Sequence, residues 1–333
     1  MKRLFSGVKP TGDLHLGNYL GAIRQWVNLQ TNYESIFCIV DYHSITSSYK
    51  TDSIGDYLLK CACNYLAAGL DPEKSIISVQ SRIPAHTELT WILNCITPIS
   101  WLERVPTFKE KASRQSDNLN LGLLDYPALM TADIILYKAE AVPVGEDQLP
   151  HIELAREIVR RFNSMFGDLF PEPKGIVGNI GRIKGLDGAD KMGKSLNNCI
   201  FLYESQKEIW EKLSKAVTDP ARVRKTDPGN PDICNIFSLH RLLSDSNVQN
   251  DVRKGCTSAS IGCLKCKKWL AESIEKEIAP IRSKYYEYLS KPQLVGTILI
   301  EGSERANEIA SHTMTEVRKL LGFDYDFMKN RSS

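Results

Sequence analysis

The first segment with residues suited to chemistry lies near the N-terminus, where residues 10–18 are PTGDLHLGN. Gly12 permits a tight turn, Gly17 lets a ligand approach the backbone, and a helix beginning there offers unpaired N–H groups to phosphates. His15 could add a hydrogen bond to a phosphate oxygen as negative charge builds up. The alternative is an ordinary glycine turn with a solvent-exposed histidine, because short glycine motifs are common.

A second segment, DKMGKS at residues 190–195, carries two lysines three positions apart. On a loop, Lys191 and Lys194 could both reach a pyrophosphate and neutralise its developing charge without any covalent step. The alternative is a solvated loop. The longer string GADKMGKS also has the spacing of a P-loop. That motif directly follows a strand and opens a helix, however, whereas this string follows a polar stretch late in the domain.

Four cysteines in the C-terminal half have the spacing C-x21-C-x6-C-x2-C, namely Cys234, Cys256, Cys263 and Cys266. Four thiolates suit either tetrahedral zinc or an iron–sulfur cluster, and the spacing alone makes zinc the first hypothesis. A coincidental grouping is the alternative. The other five cysteines occur singly or in apolar company and are predicted to be small buried hydrophobes: Cys38, Cys61, Cys63, Cys95 and Cys199.

Basic side chains are concentrated in the same region as these four cysteines. The basic residues of this stretch and of the preceding loop are Arg222, Arg224, Lys225, Arg253, Lys254, Lys265, Lys267 and Lys268. Such a run is usually a solvated face, and contact with nucleic-acid phosphates is the other interpretation. Trp269 could stack on an unpaired base, although a buried structural role is commoner.

The elements that must position these residues are predicted from hydrophobic patterns. Short apolar strands alternate with amphipathic helices in the first half, which predicts an α/β fold with a doubly wound parallel, Rossmann-like sheet. The strands are expected at residues 4–8, 36–40, 76–79, 132–137 and 141–144, and the helices at 17–31, 57–70 and 148–162. Beyond about residue 190 the pattern is mainly helical, with helices expected at residues 206–216, 271–289 and 304–321.

Length and composition limit the class of protein. The chain has 333 residues, of which 42% are hydrophobic and 25% charged, and a formal net charge of +2. It is therefore expected to be globular and not a polycation. No run of about 18 apolar residues and no secretory leader are found, which predicts a cytoplasmic location with no membrane association. Three parts are predicted, at residues 1–190 (nucleotide-binding), 191–290 (helical, with the lysine loop and four cysteines) and 291–333 (a helical segment packing back on the first part).

The glycine segment at residues 10–18 and the lysine segment at residues 190–195 together resemble the signature motifs of the class I aminoacyl-tRNA synthetases. The positions that match the family's His–Gly motif and its lysine loop are His15, Gly17, Asn18, Lys191, Met192, Lys194 and Ser195. Leu16 and Gly193 replace the usual isoleucine and serine. The resemblance implies that the first motif binds ATP and that the lysine loop stabilises the pyrophosphate leaving group.

The resemblance narrows to the tryptophanyl-tRNA synthetases and covers nearly the whole chain. It is carried by FSGVKPTG at residues 5–12, FCIVDYHSIT at 37–46, FKEK at 108–111, YPALMTAD at 126–133 and VPVGEDQ at 142–148. Lys9 replaces the family's usual glutamine. Further ATP contacts are implied at Lys9, Thr11, Gly12, Lys111, Gly145 and Asp147. The catalytic residues implied are His15, Lys111, Lys191 and Lys194.

A tryptophan pocket is also implied by this resemblance. Tryptophan carries one N–H donor on a large apolar body, so its site needs an acceptor at the end of an apolar slot. The resemblance implies that Asp133 is this acceptor and that Tyr126 and Gln148 hold the α-ammonium group. The slot would be lined by Phe5, Gly7, Val40, His43, Met130, Val142 and Val144. Taken alone, Asp133 would be interpreted as a capping or surface residue.

The reaction implied by the resemblance has two steps. Tryptophan attacks the α-phosphate of Mg²⁺-bound ATP to give tryptophanyl-adenylate and pyrophosphate, and tryptophan is then transferred to tRNA(Trp). The family is homodimeric, and residues 191–290 would include its anticodon-binding domain. The four cysteines resemble those of a subset with a [4Fe–4S] cluster, which favours that cluster over zinc. A tyrosyl-tRNA synthetase and a non-catalytic synthetase-like regulatory paralogue are the alternatives, and Lys9 and Gly193 are the features that would fit the paralogue.

Overall fold

A five-stranded parallel sheet forms the centre of the N-terminal half. The structure is a computed structural model that describes residues 1–46, 51–105, 120–178, 181, 183–189 and 191–325. The strands are β1 (Arg3–Val8), β2 (Glu34–Ile39), β3 (Ser75–Val79), β4 (Ala141–Val144) and β5 (Lys174–Val177). Their spatial order is β3-β2-β1-β4-β5, and every pair is parallel. The order reverses between β1 and β4, which confirms the doubly wound, Rossmann-like fold.

Helices follow the strands of this sheet. The helix after β1 changes type along its length, from α1 (Leu16–Asn18) through a π-helical turn (Tyr19–Ile23) to α2 (Arg24–Leu29). The remaining helices of this half are α3 (Thr51–Ala68), α4 (Ala85–Asn94), α5 (Ile99–Glu103), α6 (Leu121–Ile135) and α7 (Leu149–Phe166). They pack on the sheet to form two hydrophobic cores, and β2 shows the division clearly. Phe37 and Ile39 belong to one core, whereas Ile36 and Cys38 belong to the other, because successive strand residues point to opposite faces.

The predicted strand at residues 132–137 is wrong, because these residues end a helix. α6 begins after Asn120, whose side-chain oxygen accepts a hydrogen bond from the N–H of Leu123 (2.9 Å), and it ends at Ile135. Residues 131–137 are all buried, so the apolar residues among them form a nearly continuous run. Such a short run does not distinguish a buried helix from a buried strand. The other four predicted strands are confirmed to within two residues, and β5 was not predicted.

The C-terminal part is helical, as predicted. Its helices are α8 (Gln206–Lys215), α9 (Asn235–Leu243), α10 (Ser246–Thr257), α11 (Cys263–Leu289) and α12 (Pro292–Leu320). The sequence pattern starts the last two helices too late, at residues 271 and 304, whereas they begin at Cys263 and Pro292. None of the helices in the described part of the chain is both long and apolar enough to cross a membrane.

The long helix α11 connects the cysteine-bearing region with the helix that follows β1. At its N-terminal end it carries two of the four cysteines, and farther along it packs on α3. There the hydroxyl of Tyr19 donates a hydrogen bond to Glu277 Oε1 (2.8 Å), and Arg24 Nε lies 3.7 Å from the same oxygen. The two halves of the chain are therefore joined by direct polar contacts as well as by apolar packing.

The last helix, α12, packs directly on the edge strand β3. The N–H of Val79 donates a hydrogen bond to Ser303 Oγ (3.1 Å), and Gly302 lies against the carbonyl group of Ile77. A Cβ atom at Gly302 would overlap the Ile77 carbonyl oxygen. The helix therefore covers an edge that would otherwise be open to pairing with another strand.

Gly302→Ala is expected to destabilise the protein by about 3 kcal/mol, since the new methyl group forces helix and strand apart. The matched control is Gly296→Ala in the same helix, where a Cβ meets no atom within 4 Å and helix propensity predicts a gain of up to about 1 kcal/mol. Urea unfolding of both variants measures the difference. Equal free energies of unfolding for the two variants would contradict this packing.

Candidate active site

The glycine segment lies at the carboxyl end of β1, beside the point where the strand order reverses. Gly12 has a φ of +121°, a conformation that disfavours any side chain. Asn18 Oδ1 accepts a hydrogen bond from the N–H of His15 (3.1 Å), which fixes the start of α1. His15 is only 7% exposed, so the alternative of a solvent-exposed histidine is wrong. Thr11 is exposed, and its N–H donates to the Lys9 carbonyl group across the turn (2.9 Å).

The lysine loop packs directly against this turn. A Cβ on Gly12 would lie 3.3 Å from Lys194 Nζ, and one on Gly17 would lie 3.2 Å from Met192 Cβ. The N–H of Gly193 donates to Asn198 Oδ1 (2.8 Å) and holds the loop. The end of the loop forms a 3₁₀ turn, Lys194–Leu196, that contains Ser195. The two motifs, about 180 residues apart in the sequence, are therefore neighbours in space.

Positive charge collects where the two motifs meet. Lys191 Nζ lies 3.5 Å from Asp147 Oδ2. Asp147 follows the end of β4 and Gly145 in the sequence. Burial lowers the pKa of Lys194, although the charge of Asp13 partly opposes this. Burial and the charges of Lys194 and Lys191 lower the pKa of His15 to about 4. A neutral histidine with the charges of two ammonium groups acting on it, at the end of a parallel sheet, suits the binding of an anion such as a phosphate.

Protonation of His15 is expected to destabilise the ligand-free protein in acid. The pKa of this histidine is about 4 in the folded protein, against an ordinary value of 6.5, so the unfolded chain binds the proton more tightly. The free energy of unfolding has its full value above pH 6.5 and should decrease by about 3 kcal/mol as the pH falls towards 4. Urea unfolding across this range measures the slope.

The variant His15→Gln should remove that part of the pH dependence. His312→Gln is the matched control, because the side chain of His312 is 80% exposed. If wild type and His15→Gln lost stability equally between pH 6.5 and 4, the assignment of the proton to His15 would be wrong.

A second candidate binding group is a buried carboxylate. Asp133, on α6, is 1% exposed. His43 Nε2 lies 2.8 Å from its Oδ2, Gln80 Nε2 donates to its Oδ1 (2.7 Å), and His86 Nδ1 lies 2.7 Å from Oδ1. Burial alone would raise the pKa of Asp133, but the electrostatic effect of His86 and the hydrogen bonds from both histidines hold it well below its ordinary value. The group is thus an ionised acceptor and not a surface or capping aspartate.

One of the other residues implied for the amino-acid pocket, Tyr126, is connected to this carboxylate through His43. The ring of Tyr126 lies 6.5 Å from that of His43, its hydroxyl makes a 2.7 Å hydrogen bond with His151 Nε2, and Lys9 Nζ lies 5.9 Å from its centre. Gln148 donates to Asp147 Oδ2 (3.0 Å). Of the predicted slot residues, the buried ones are Phe5, Val40, His43 and Val142, and the half-buried ones are Gly7, Met130 and Val144.

Several residues of this region were missed or cannot be placed. Lys111 and the rest of the FKEK segment lie outside the described residues. Gln80, His86 and Tyr137 were not predicted, although they bond to Asp133 or to each other. Only Gln80 had a recognisable signal, because it directly follows β3 at the carboxyl end of a parallel strand.

The four cysteines of the C-terminal half are neighbours in space. Burial, followed by the charges of Cys234, Cys256 and Cys263, raises the pKa of Cys266 to about 12. One Arg222 nitrogen lies 3.8 Å from Cys256 Sγ and 3.9 Å from Cys263 Sγ. In the part of the chain that the structure describes, however, no three His, Cys, Asp or Glu side chains are arranged to hold a metal ion. The donor chemistry fits a thiolate-bound metal, whereas the arrangement of the donors does not.

The remaining sequence predictions for this region are only partly correct. Cys95 is exposed, unlike the four other single cysteines, which are buried. Lys267 is 6% exposed and donates to the Ser214 carbonyl group (2.8 Å), and Arg222 donates to the Ile261 carbonyl group (2.8 Å). These two residues therefore support the fold and do not form a solvated face. The exposed basic residues are Arg224, Lys225, Lys254, Lys265 and Lys268.

Comparison with known proteins identifies the family. Residues 1–279 match the family of tRNA synthetases class I (W and Y). The tryptophan–tRNA ligase of Deinococcus radiodurans is 46% identical over 97% of this chain and 99% of its own length. The chain belongs to the class I tRNA synthetases. A second tryptophan–tRNA ligase, from Thermotoga maritima, is 43% identical to this synthetase over 96% of the chain and 98% of its own length.

Solved structures agree with this assignment. Tryptophanyl-tRNA synthetase from Campylobacter jejuni, determined with ADP and tryptophan, superposes on this synthetase with a TM-score of 0.86 at 36% identity. The superposition covers 96% of this chain and 99% of that structure. A tyrosyl-tRNA synthetase from Archaeoglobus fulgidus, at 19% identity and a TM-score of 0.68 over 85% of this chain and 90% of its own, shares the fold. The synthetase described here is thus an aminoacyl-tRNA synthetase enzyme.

Proposed function

We infer that this synthetase is a tryptophan–tRNA ligase, which activates tryptophan with ATP and transfers it to tRNA(Trp). The observation that carries the choice of amino acid is the buried, ionised carboxylate of Asp133, which offers an acceptor beside the slot residues Phe5, Val40 and Val142. An indole N–H is the donor that such an acceptor suits. Two relatives that match nearly the whole chain support the same choice, since both are tryptophan–tRNA ligases.

We propose that ATP binds between the glycine turn and the lysine loop. Gly12, Gly17 and the start of α1 approach the phosphates, with His15 donating a hydrogen bond. Lys191 and Lys194 neutralise the pyrophosphate that leaves, so no nucleophile or base from the protein is needed. The other ATP-binding residues of the proposal are Lys9, Thr11, Asn18, Lys111, Gly145, Asp147, Met192 and Ser195. Mg²⁺ would arrive with the nucleotide, since its usual ligands include substrate phosphates.

We propose that tryptophan lies between Asp133 and the end of β4. Its indole N–H would donate to Asp133, its ring would occupy the slot, and Tyr126 and Gln148 would hold the α-ammonium group. The hydroxyl of Tyr126 and the amide of Gln148 both have protein partners in the described structure, His151 and Asp147. Each can still accept an additional hydrogen bond from an ammonium group, because hydroxyl and amide oxygens have two lone pairs.

The C-terminal half is proposed to hold tRNA. The exposed lysines and arginines near the four cysteines would contact phosphates, and Trp269, which is half-buried with Lys265 Nζ 5.1 Å from the centre of its ring, is available beside them. On this proposal, residues 1–190 form the catalytic domain, residues 191–290 include the anticodon-binding domain, and residues 291–333 return to the catalytic domain. We place the reaction in the cytoplasm, where its tRNA substrate is used.

We propose that the four cysteines bind a [4Fe–4S] cluster, with zinc as the alternative, and that binding draws together donors that the described structure does not arrange around a metal ion. Two observations support this proposal. The other three thiols act electrostatically on Cys266, and the guanidinium group of Arg222 lies near Cys256 and Cys263, where it would offset the charge of thiolates. The cluster would support the structure and take no part in the chemistry. We also propose a homodimer, because Trp91, Ile99 and Leu121 are exposed by 71%, 64% and 75% and large exposed apolar groups favour association.

The proposed function is tested by ATP–pyrophosphate exchange on anaerobically purified protein, with tryptophan and tyrosine in parallel. Exchange that depends on tryptophan alone is expected. Exchange driven by tyrosine would establish a tyrosyl-tRNA synthetase, and no exchange from folded protein would support the regulatory paralogue. Iron and zinc analysis with a visible absorption spectrum of the same sample decides what the four cysteines hold.

A further inference from the structure

The carboxylate of Asp133 is held unequally at its two oxygens. Oδ1 accepts from Gln80 Nε2 (2.7 Å) and contacts His86 Nδ1 (2.7 Å). Among the residues that the structure describes, Oδ2 has a single partner, His43 Nε2 (2.8 Å). A carboxylate oxygen offers two lone pairs. Two protein nitrogens therefore lie within 2.7 Å of Oδ1, one of them hydrogen-bonded to it, whereas Oδ2 has one and can accept one more hydrogen bond.

The imidazole of His86 is held by a second contact, at its Nε2 atom. It is completely buried on α4, and its Nε2 lies 2.8 Å from the hydroxyl of Tyr137. The ring of Tyr137 stacks on Phe5, with centres 5.5 Å apart and planes 12° from parallel. If this hydroxyl donates to Nε2, the proton of the imidazole must be on Nδ1, the atom that faces Asp133. The contact between His86 Nδ1 and Asp133 Oδ1 is short, but its angle is unfavourable for a hydrogen bond. The orientation of the Nδ1 proton towards Asp133 therefore depends on how firmly the imidazole ring is held.

We propose that His86 and Gln80 are positioning residues that hold Oδ1 of Asp133 and thereby aim Oδ2 at the indole N–H of tryptophan. This inference rests on the proposed role of Asp133 as the indole acceptor. A carboxylate restrained at one oxygen cannot rotate to satisfy a ligand whose donor lies elsewhere or is missing. The two residues therefore set specificity, although neither touches the substrate.

The test compares tryptophan with β-(3-benzothienyl)alanine, in which sulfur replaces the indole N–H. The ratio of kcat/KM values in pyrophosphate exchange is expected to be about 10² for the wild type. His86→Leu and Gln80→Met remove one donor each and should lower this ratio about tenfold, mainly through a higher KM for tryptophan. His86→Asn can place an amide N–H near the position of Nδ1 and should restore most of the ratio. His312→Leu, at the exposed surface, is the control.

The possible outcomes separate this inference from the proposed function. If the wild type exchanged tryptophan with the expected ratio, and His86→Leu and Gln80→Met kept that ratio, the positioning role would be overturned and the function would stand. A wild-type ratio near one would overturn the role of Asp133 and this inference together. A second measurement needs neither substrate nor a variant that risks misfolding. ¹⁵N NMR should find a proton on Nδ1 of His86, and an unprotonated Nδ1 would overturn the inference.

Discussion

Lys194→Ala is expected to slow tryptophan-dependent pyrophosphate exchange by about 10²–10³-fold, because it removes a positive charge placed where the leaving group develops negative charge. Lys194 is the lysine of the loop that packs on the glycine turn, next to Gly12. Burial makes its charge more effective there than in water. The loss should fall on kcat, with a small change in the KM for tryptophan, since the charge builds up in the transition state. Steady-state exchange kinetics measure both constants.

The control for this prediction is Lys207→Ala. Lys207 is an exposed lysine whose only contact in the described structure is a 4.0 Å ion pair with Glu211, so its removal should leave exchange unchanged. A variant at Lys194 that raised the KM for ATP without lowering kcat would show that this lysine binds the ground state equally well. The loop would then serve nucleotide binding and not the chemical step.

Asp133→Asn is expected to lower kcat/KM for tryptophan by at least about 100-fold. The carboxylate accepts from His43, Gln80 and, on the proposed function, the indole as well. An amide replaces one accepting oxygen by an N–H₂ group, which then faces a donor in either orientation. The resulting unpaired, buried groups oppose tryptophan binding directly. Exchange kinetics at several tryptophan concentrations measure the effect, and thermal unfolding checks that the variant is folded.

Asp125→Asn provides the matched control, because it makes the same change on the same helix. Asp125 is half-buried and accepts a hydrogen bond from Asn94 Nδ2 (2.9 Å), and no hydrogen bond in the described structure links it to His43, Gln80 or His86. Its exchange kinetics should match those of the wild type. If Asp133→Asn retained wild-type kcat/KM for tryptophan, the indole acceptor would have to be another residue.

Local patterns were sufficient to predict four of the five described strands and the place of the glycine turn. β1 and the turn at Gly12 are adjacent in the sequence, so the strand pattern and the glycine spacing together place the turn at the carboxyl end of the sheet. The same reasoning failed at residues 132–137. A helix buried on all sides has the same continuous apolar run as a strand, and only its tertiary surroundings distinguish the two.

The surroundings of Asp133 could not be predicted from local patterns. Its donors come from three separate segments: His43 follows β2, Gln80 follows β3, and His86 lies on α4. No spacing connects them, and each alone is an ordinary polar residue. Lys267 illustrates the opposite error. It looks like one of several surface charges in the sequence, but the folded chain buries it against the Ser214 carbonyl group.

The direct contact between α11 and Tyr19 gives the molecule a mechanical property. About 14 residues separate Cys263 from Glu277 along one uninterrupted helix, a distance of about 20 Å at about 1.5 Å per residue. A helix of this kind acts as a lever. A tilt of about 3° at the cysteine end moves Glu277 by about 1 Å, and the Tyr19 hydroxyl is hydrogen-bonded to that side chain. A displacement of the cysteine end would therefore reach the helix that begins at Leu16 without passing through any loop.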